Sequence, residues 1–428
     1  MADELDRLSG KDREHPLTFG DLKGAAGELE KELIEKNLLD KKHGGIKLEM
    51  MTTNLTLGRP YRLPFDEEST EYFYDPAEWR KLFPKHIVDW MEKHPRQSTY
   101  PPGKKRDDQL AEWKSFEPRL PLPAPDDMPV VIAARMSLSF PVLISAVPLY
   151  TVDRSIPLKK GEMPQLERCL FSDGGISSNF PIHFFDKPLP RWPTFGINLA
   201  SFNPAYPCNP EDQSKNSYLP NSNVGGILDA WDRFDESDSG FTRLGGFFGA
   251  LVNTMYNWAD NTQMRAPGYR DRVISVFQTP EEGGLNLNMT QASIEALSQR
   301  GRFAGVKLRE RFLGLDGSDC NWGNHRWLRY RSIMARIEAM LEELSYAYKN
   351  PMPGEQPYQE MIVRSPDDPP KSYKWKLDGQ QGFASEMTAK LVQLAEEWRA
   401  YGQSLGKDVG FKEGEPNPSP ELRVRPRI

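Results

Sequence analysis

Phe171-Ser172-Asp173-Gly174-Gly175-Ile176-Ser177-Ser178-Asn179-Phe180-Pro181 is the stretch around which the rest of the chain organises itself. An apolar run, Cys169-Leu170-Phe171, leads through Ser172 into a carboxylate and two consecutive glycines. Glycine lets the backbone turn tightly and approach another group closely. The segment therefore reads as a strand that stops in a sharp turn, with the Asp173 carboxylate held at the strand's carboxyl end. In open α/β sheets that edge is where ligands bind. The residues alone leave two readings open, an Asx-type turn after a strand or a carboxylate placed for chemistry.

Upstream, the stretch Met128–Tyr150 is the most apolar of the chain, but it contains Arg135 and is interrupted by Pro129, Pro141 and Pro148. A bilayer-spanning helix needs about 20 nearly uninterrupted apolar residues, so this stretch reads as buried core. Ile46, Leu48, Met50 and Thr52 alternate with Lys47, Glu49, Met51 and Thr53, the period of two expected of a strand. Pro60 to Phe65 reads as a second, more exposed strand. Asp75 followed by Pro76 is the start signal of a helix, and Lys85 to Lys93 reads as another helical piece. Residues 95–127, rich in Pro, Lys and Asp, read as a long surface excursion, and Phe195-Gly196-Ile197-Asn198-Leu199 as a short buried strand. Apolar runs of this kind separated by helices suggest a parallel sheet covered on both faces.

After residue 200 the composition changes. Asn, Ser, Pro and Asp dominate a long loop over 201–240, followed by an apolar helix candidate at Phe241 to Asp260 and a strand at Arg272 to Thr279. Three long helical patterns follow. The first is capped at Thr290 and runs to Phe312. The second carries the stripe Ile333, Ile337, Met340, Leu341 and Leu344. The third carries Met387, Leu391, Leu394, Trp398 and Tyr401, and stripes at this spacing are packing faces. The expected organisation is an α/β domain over 15–200, a mostly helical extension over 201–405, and a Pro-rich tail over 406–428.

Charge narrows the function classes. Across 428 residues, 55 Lys and Arg against 61 Asp and Glu leave a net charge of −6, without the basic stripe that nucleic acid demands. Three widely spaced cysteines, Cys169, Cys208 and Cys320, make neither a disulfide framework nor a zinc site and suit a reducing compartment. The acidic N-terminus, Met-Ala-Asp-Glu-Leu-Asp-Arg, lacks the apolar core of a signal peptide. A cytoplasmic location follows as an expectation, with peripheral membrane contact left open. The six histidines show no helical pair beside an acid, so no metal is expected, and no phosphate-cradling glycine loop calls for a nucleotide cofactor.

A resemblance adds to this reading. Asp173-Gly174-Gly175 followed by Asn179-Phe180-Pro181 resembles the second catalytic motif of the patatin-like phospholipases. Upstream, Ala134-Arg135-Met136-Ser137-Leu138-Ser139-Phe140-Pro141 resembles the Ser-x-x-x-Pro segment that precedes that motif. Lys47 to Leu55 with Gly58-Arg59-Pro60 is similar to the family's preceding strand and hairpin, and Leu17-Thr18-Phe19-Gly20-Asp21-Leu22 to its Leu-Thr-Phe entry. The matches keep the family's order across about residues 15 to 200. The resemblance implies a three-layer α/β/α fold and hydrolysis of lipid or other acyl esters by a Ser–Asp pair, with no cofactor. It implies Asp173 as general base, Gly174 and Gly175 as its turn, and Ser137, Pro141 and Asn179 on the substrate side. The family's Gly-x-Ser-x-Gly nucleophile and glycine-rich oxyanion loop would lie before Leu17 and are not in the sequence, so the fold is expected to be incomplete at its N-terminus and the chain truncated or inactive.

Substitutes for the missing serine read poorly. Gly402-Gln403-Ser404-Leu405-Gly406 matches the elbow pattern, but it ends the third helical pattern instead of joining a strand to a helix. His43-Gly44-Gly45 reads as the turn into the Ile46 strand, and His183 as part of a packed segment. Leu244 to Val252 is an apolar element that could touch a membrane surface transiently, yet without a basic face it reads first as a packed helix. The alternative to a hydrolase is a non-catalytic lipid-binding or scaffold protein of the same architecture.

Overall fold

The structure is a computed structural model. It describes all residues except 25–27, 37–44, 67–70, 142, 160–161, 178, 224–243, 245, 248–249, 252–253, 255–263, 284–285, 287, 364–370, 407–408 and 420–428. The chain is mixed α/β with a helical C-terminal region, and it divides into two compact units at Pro181/Ile182, ahead of the boundary near residue 200 suggested by composition.

The first unit contains helices α1 (Ala2–Leu8), α2 (Phe19–Gly24), α3 (Glu28–Glu35), α4 (Pro76–Trp79), α5 (Lys85–Lys93), α6 (Lys104–Ser115) and α7 (Val130–Ser137). Its strands are β1 (Met50–Asn54), β2 (Arg59–Leu63), β3 (Phe73–Tyr74), β4 (Leu120–Pro121), β5 (Val147–Val152) and β6 (Leu166–Asp173). They form one sheet in the order β2-β1-β6-β5-β3-β4, and every pairing is antiparallel. The parallel sheet expected from the apolar runs is thus corrected for this unit. Burial on both faces gives β5 its continuous apolar run, and burial carries no information about strand direction. The connection does: a parallel pair needs a crossover, usually helical, whereas the described residues between Val152 and Leu166 hold no helix.

Local signals position these elements. The Asp75 carboxylate accepts from the backbone N–H groups of Ala77 and Glu78, with Pro76 opening α4. That helix sets Trp79, fully buried, so that its Nε1 donates to the Pro148 carbonyl at 2.8 Å. The main core lies on one face of the sheet, where Phe171 of β6 meets Tyr61, Phe65 and Tyr72 edge-on at ring distances of 5.7, 5.7 and 5.2 Å. Full burial of such a side chain stabilises by about 1.5–3 kcal/mol, and here it anchors the strand just before Asp173. On another cluster Phe73 and Tyr150 pack with Trp113 and Phe116. Trp113 belongs to α6, a helix inside the supposed surface excursion. Its sequence KKRDDQLAEWKS has no apolar stripe, and Trp113 is its one buried side chain.

The second unit has strands β7 (Gly196–Ser201), β8 (Ser217–Tyr218) and β9 (Val273–Gln278), in the order β7-β9-β8, with β7 parallel to β9. β9 is buried almost throughout, but β7 is not the buried strand its sequence suggested: Ile197 and Leu199 are 58% and 62% exposed. The long helices are α8 (Gln291–Leu313), α9 (Trp322–Lys349) and α11 (Gln380–Ser404), with the short α10 (Tyr358–Ile362) between the last two. Thr290 caps α8 by accepting from the Ser293 N–H. α9 and α11 pack together, but the stripes are offset from expectation. Ser332, Ala335, Leu341 and Ser345 are buried on α9 and Val392, Ala395 and Gly402 on α11, while Met340, Leu391 and Tyr401 are exposed. Small residues occupy much of both buried faces, and a hydrophobicity pattern does not register them. The second part of the 201–240 loop, from residue 224, and most of the Phe241 to Asp260 element fall outside the described residues, as do the last residues of the tail.

Candidate functional site

Asp173 closes β6, opposite Thr52 of β1. Its carboxylate Oδ1 accepts from the Gly175 backbone N–H at 2.5 Å, which folds Gly174–Ile176 into a single 3-10 turn. Gly174 lies against the β1 backbone so closely that an added Cβ would sit 2.4 Å from the Met51 carbonyl oxygen. A Cβ on Gly175 would meet Asn179 Oδ1 at 2.5 Å and Asp173 Oδ1 at 2.8 Å. The glycines are therefore required by close approach, not by φ. Ser177 closes the turn with its N–H on the Gly174 carbonyl, and its hydroxyl pairs with that of Thr53 at 2.9 Å.

Burial holds the Asp173 carboxyl above the usual carboxylate range, outweighing the Gly175 N–H bond that favours the charged form. A carboxylate so disposed is a stronger base than a solvated one. It also costs stability. Between the ordinary unfolded pKa and the raised folded one the native state retains the proton more, so stability falls as pH rises through that window and stays lower above it. Asp173→Asn is accordingly expected to melt higher than wild type at about pH 7 and level with it at about pH 3, where both side chains are neutral. Melting curves at the two pH values test this, and a gap that does not change with pH would contradict it.

The Ser-x-x-x-Pro segment arrives at the same place. The backbone leaves α7 at Ser137 and turns beneath β6. Ser139, fully buried, presents its carbonyl to the Asp173 N–H at 3.1 Å and to Ser172 Oγ at 2.7 Å. Ser139 thus contacts the Asp-Gly-Gly strand, whereas Ser137 and Pro141 are partly exposed and, among the described residues, make no hydrogen bond to it. Asn179 is exposed beside Gly175. Leu138, Phe140, Leu143 and Ile144 are 49%, 41%, 49% and 38% exposed, an apolar fringe on the loop that carries Ser139. Sequence reading missed Arg135, and it did not single out Ser139 over Ser137. The signal was a single charge inside an apolar helix with a serine four residues on, just past the helix end.

The alternative nucleophile fares as expected. Ser404 is the last residue of α11, exposed, with its hydroxyl on the Tyr401 carbonyl. The first glycine of that pentapeptide, Gly402, sits where a Cβ would be 2.4 Å from the Val409 carbonyl oxygen, and the second, Gly406, has φ +85°. Close approach of the Val409 backbone explains Gly402, and a helix stop explains Gly406. His183 is exposed in a 3-10 turn of the second unit, and His43-Gly44 lies outside the described residues. Among the described residues no three His, Cys, Asp or Glu side chains gather as metal ligands, and no helix is long and apolar enough to cross a membrane.

No family model matches the chain, and no solved structure matches it. A protein of Rhizobium meliloti (strain 1021) named RpoH suppressor is 34% identical over 467 aligned residues, which cover 100% of this chain and 66% of that protein. The two are homologues. The chain therefore spans a little under two thirds of this relative's length.

Proposed function

We propose that these residues carry the base-bearing part of a patatin-like serine acyl hydrolase acting on lipid or other acyl esters. The observation that supports this best is Asp173. It stands at the carboxyl end of β6, is oriented by the Gly175 N–H, and is buried enough to raise its pKa. In the proposed reaction Asp173 takes the proton from a serine as that serine attacks the ester carbonyl, the part that histidine plays in the commoner triads. General bases work best with a pKa near the operating pH, and burial moves Asp173 in that direction. The apolar fringe of Leu138, Phe140, Leu143 and Ile144 suits an acyl chain.

The proposal includes a three-layer α/β/α architecture and places the serine in sequence outside these 428 residues. An in-frame Gly-x-Ser-x-Gly segment in the flanking DNA would support it. The decisive test is turnover of a p-nitrophenyl ester by the protein that includes this segment, abolished by Asp173→Asn.

A second reading, a non-catalytic lipid-binding protein, is favoured by the placement of Ser404 at a helix end. It is distinguished by co-sedimentation with phosphatidylcholine vesicles without any hydrolysis of them.

A further inference from the structure

We infer that Arg135 is a positioning residue for Asp173, acting through Ser139. The inference rests on reading Asp173 as the base. Besides its pairing with β1, the end of β6 is held by the Ser139 carbonyl, which receives both Asp173 N–H and Ser172 Oγ. Ser139 lies beyond the end of α7, so helical hydrogen bonding alone does not fix it. Arg135 does. Its Nη1 donates to Ser139 Oγ at 2.6 Å, while that hydroxyl donates to the Arg135 carbonyl at 2.8 Å. Its Nη2 donates to the Ser145 carbonyl at 2.9 Å and to Ser145 Oγ at 3.1 Å.

One rigid guanidinium therefore joins both ends of the loop that leads from α7 to β5, and a lysine could serve only one of them at a time. The arrangement is costly in isolation. Burial pushes the Arg135 pKa down, and among the described residues its guanidinium is hydrogen-bonded to serine oxygens and to no carboxylate. A half-buried cation whose side-chain bonds go to neutral serine oxygens is poorly explained by stability alone. It is explained if the position of Ser139, and through it the depth at which Asp173 sits, is what matters. Burial raises the Asp173 pKa and the Gly175 N–H lowers it. Loss of a cation by itself could only raise it further, so a fall on loss of Arg135 would report position.

The test is a carbon-detected NMR titration of the full chain labelled with carboxyl-13C aspartate, with the Asp173 signal assigned by its absence in Asp173→Asn. Wild type is expected to titrate above the ordinary aspartate range. In Arg135→Met the midpoint is expected to fall by about half a pH unit or more toward that range. Arg135→Lys, which keeps the charge and one arm, is expected to fall part of the way and is the readout should Arg135→Met not fold. A raised wild-type midpoint that both variants leave in place would overturn the positioning role while leaving Asp173 as the base. An ordinary midpoint in wild type would overturn the reading of Asp173 itself, and the positioning role with it.

Discussion

Asp173→Asn is expected to lower ester hydrolysis by about 10²–10⁴-fold, the usual contribution of a general base, in the protein that joins these residues to a Gly-x-Ser-x-Gly segment. Asparagine has the shape of aspartate, and its side-chain oxygen can still accept from the Gly175 N–H, so the Asp-Gly-Gly turn is kept. What it cannot do is take a proton. Because ionised Asp173 is disfavoured by burial, the variant is also expected to be no less stable than wild type near neutral pH. Lost activity with an unchanged or raised melting temperature separates a chemical role from a structural one. The measurement is kcat/KM on p-nitrophenyl butyrate beside a thermal melt. Unchanged kcat/KM would remove Asp173 from the chemistry.

Gly174→Ala is expected to do the opposite and act on the fold. Its Cβ would lie 2.4, 2.7 and 2.8 Å from the carbonyl oxygen, carbonyl carbon and Cβ of Met51. Two of these atoms are backbone of β1, whose next residue, Thr52, pairs with Asp173, so relief requires prising the two strands apart. Overpacking of this kind costs about 2–3 kcal/mol, or a fall in melting temperature of about 5–10 °C. Gly175→Ala should cost less, since its obstacles are the side-chain oxygens of Asn179 and Asp173. It should disturb the carboxylate more than the sheet. A loss under about 0.5 kcal/mol for Gly174→Ala, within the range of an ordinary surface substitution, would show that the turn does not depend on this close approach.

Several elements of the fold, and the turn of the site, were legible because their signals are local. Asp75-Pro76 caps a helix and Thr290 caps another through side-chain to backbone bonds spanning two or three residues. Asp173-Gly174-Gly175 forms the turn that its residue types require. What was hidden depends on partners distant in sequence. The direction of β5 against β6 is decided by the connection between them, not by the apolar runs themselves. The order β2-β1-β6 depends on Thr52 meeting Asp173 across more than a hundred residues. α6 is held by Trp113 against Phe73, without a stripe to announce it. Ser139 rather than Ser137 reaches β6 because the helix ends first, and element boundaries are what periodicity fixes least well. The exposed faces of Ile197 and Leu199 on β7 are a further case, since an apolar residue declares a preference for burial and not its achievement.

The proposed Ser–Asp chemistry is tested most directly by the rate at which a fluorophosphonate probe labels the protein that includes the Gly-x-Ser-x-Gly segment, measured for wild type and Asp173→Asn. One serine, the central residue of that segment, is expected to be labelled, and about 100-fold more slowly once Asp173 can no longer accept its proton. Labelling at the same rate in both proteins, or no labelled serine at all, would contradict it.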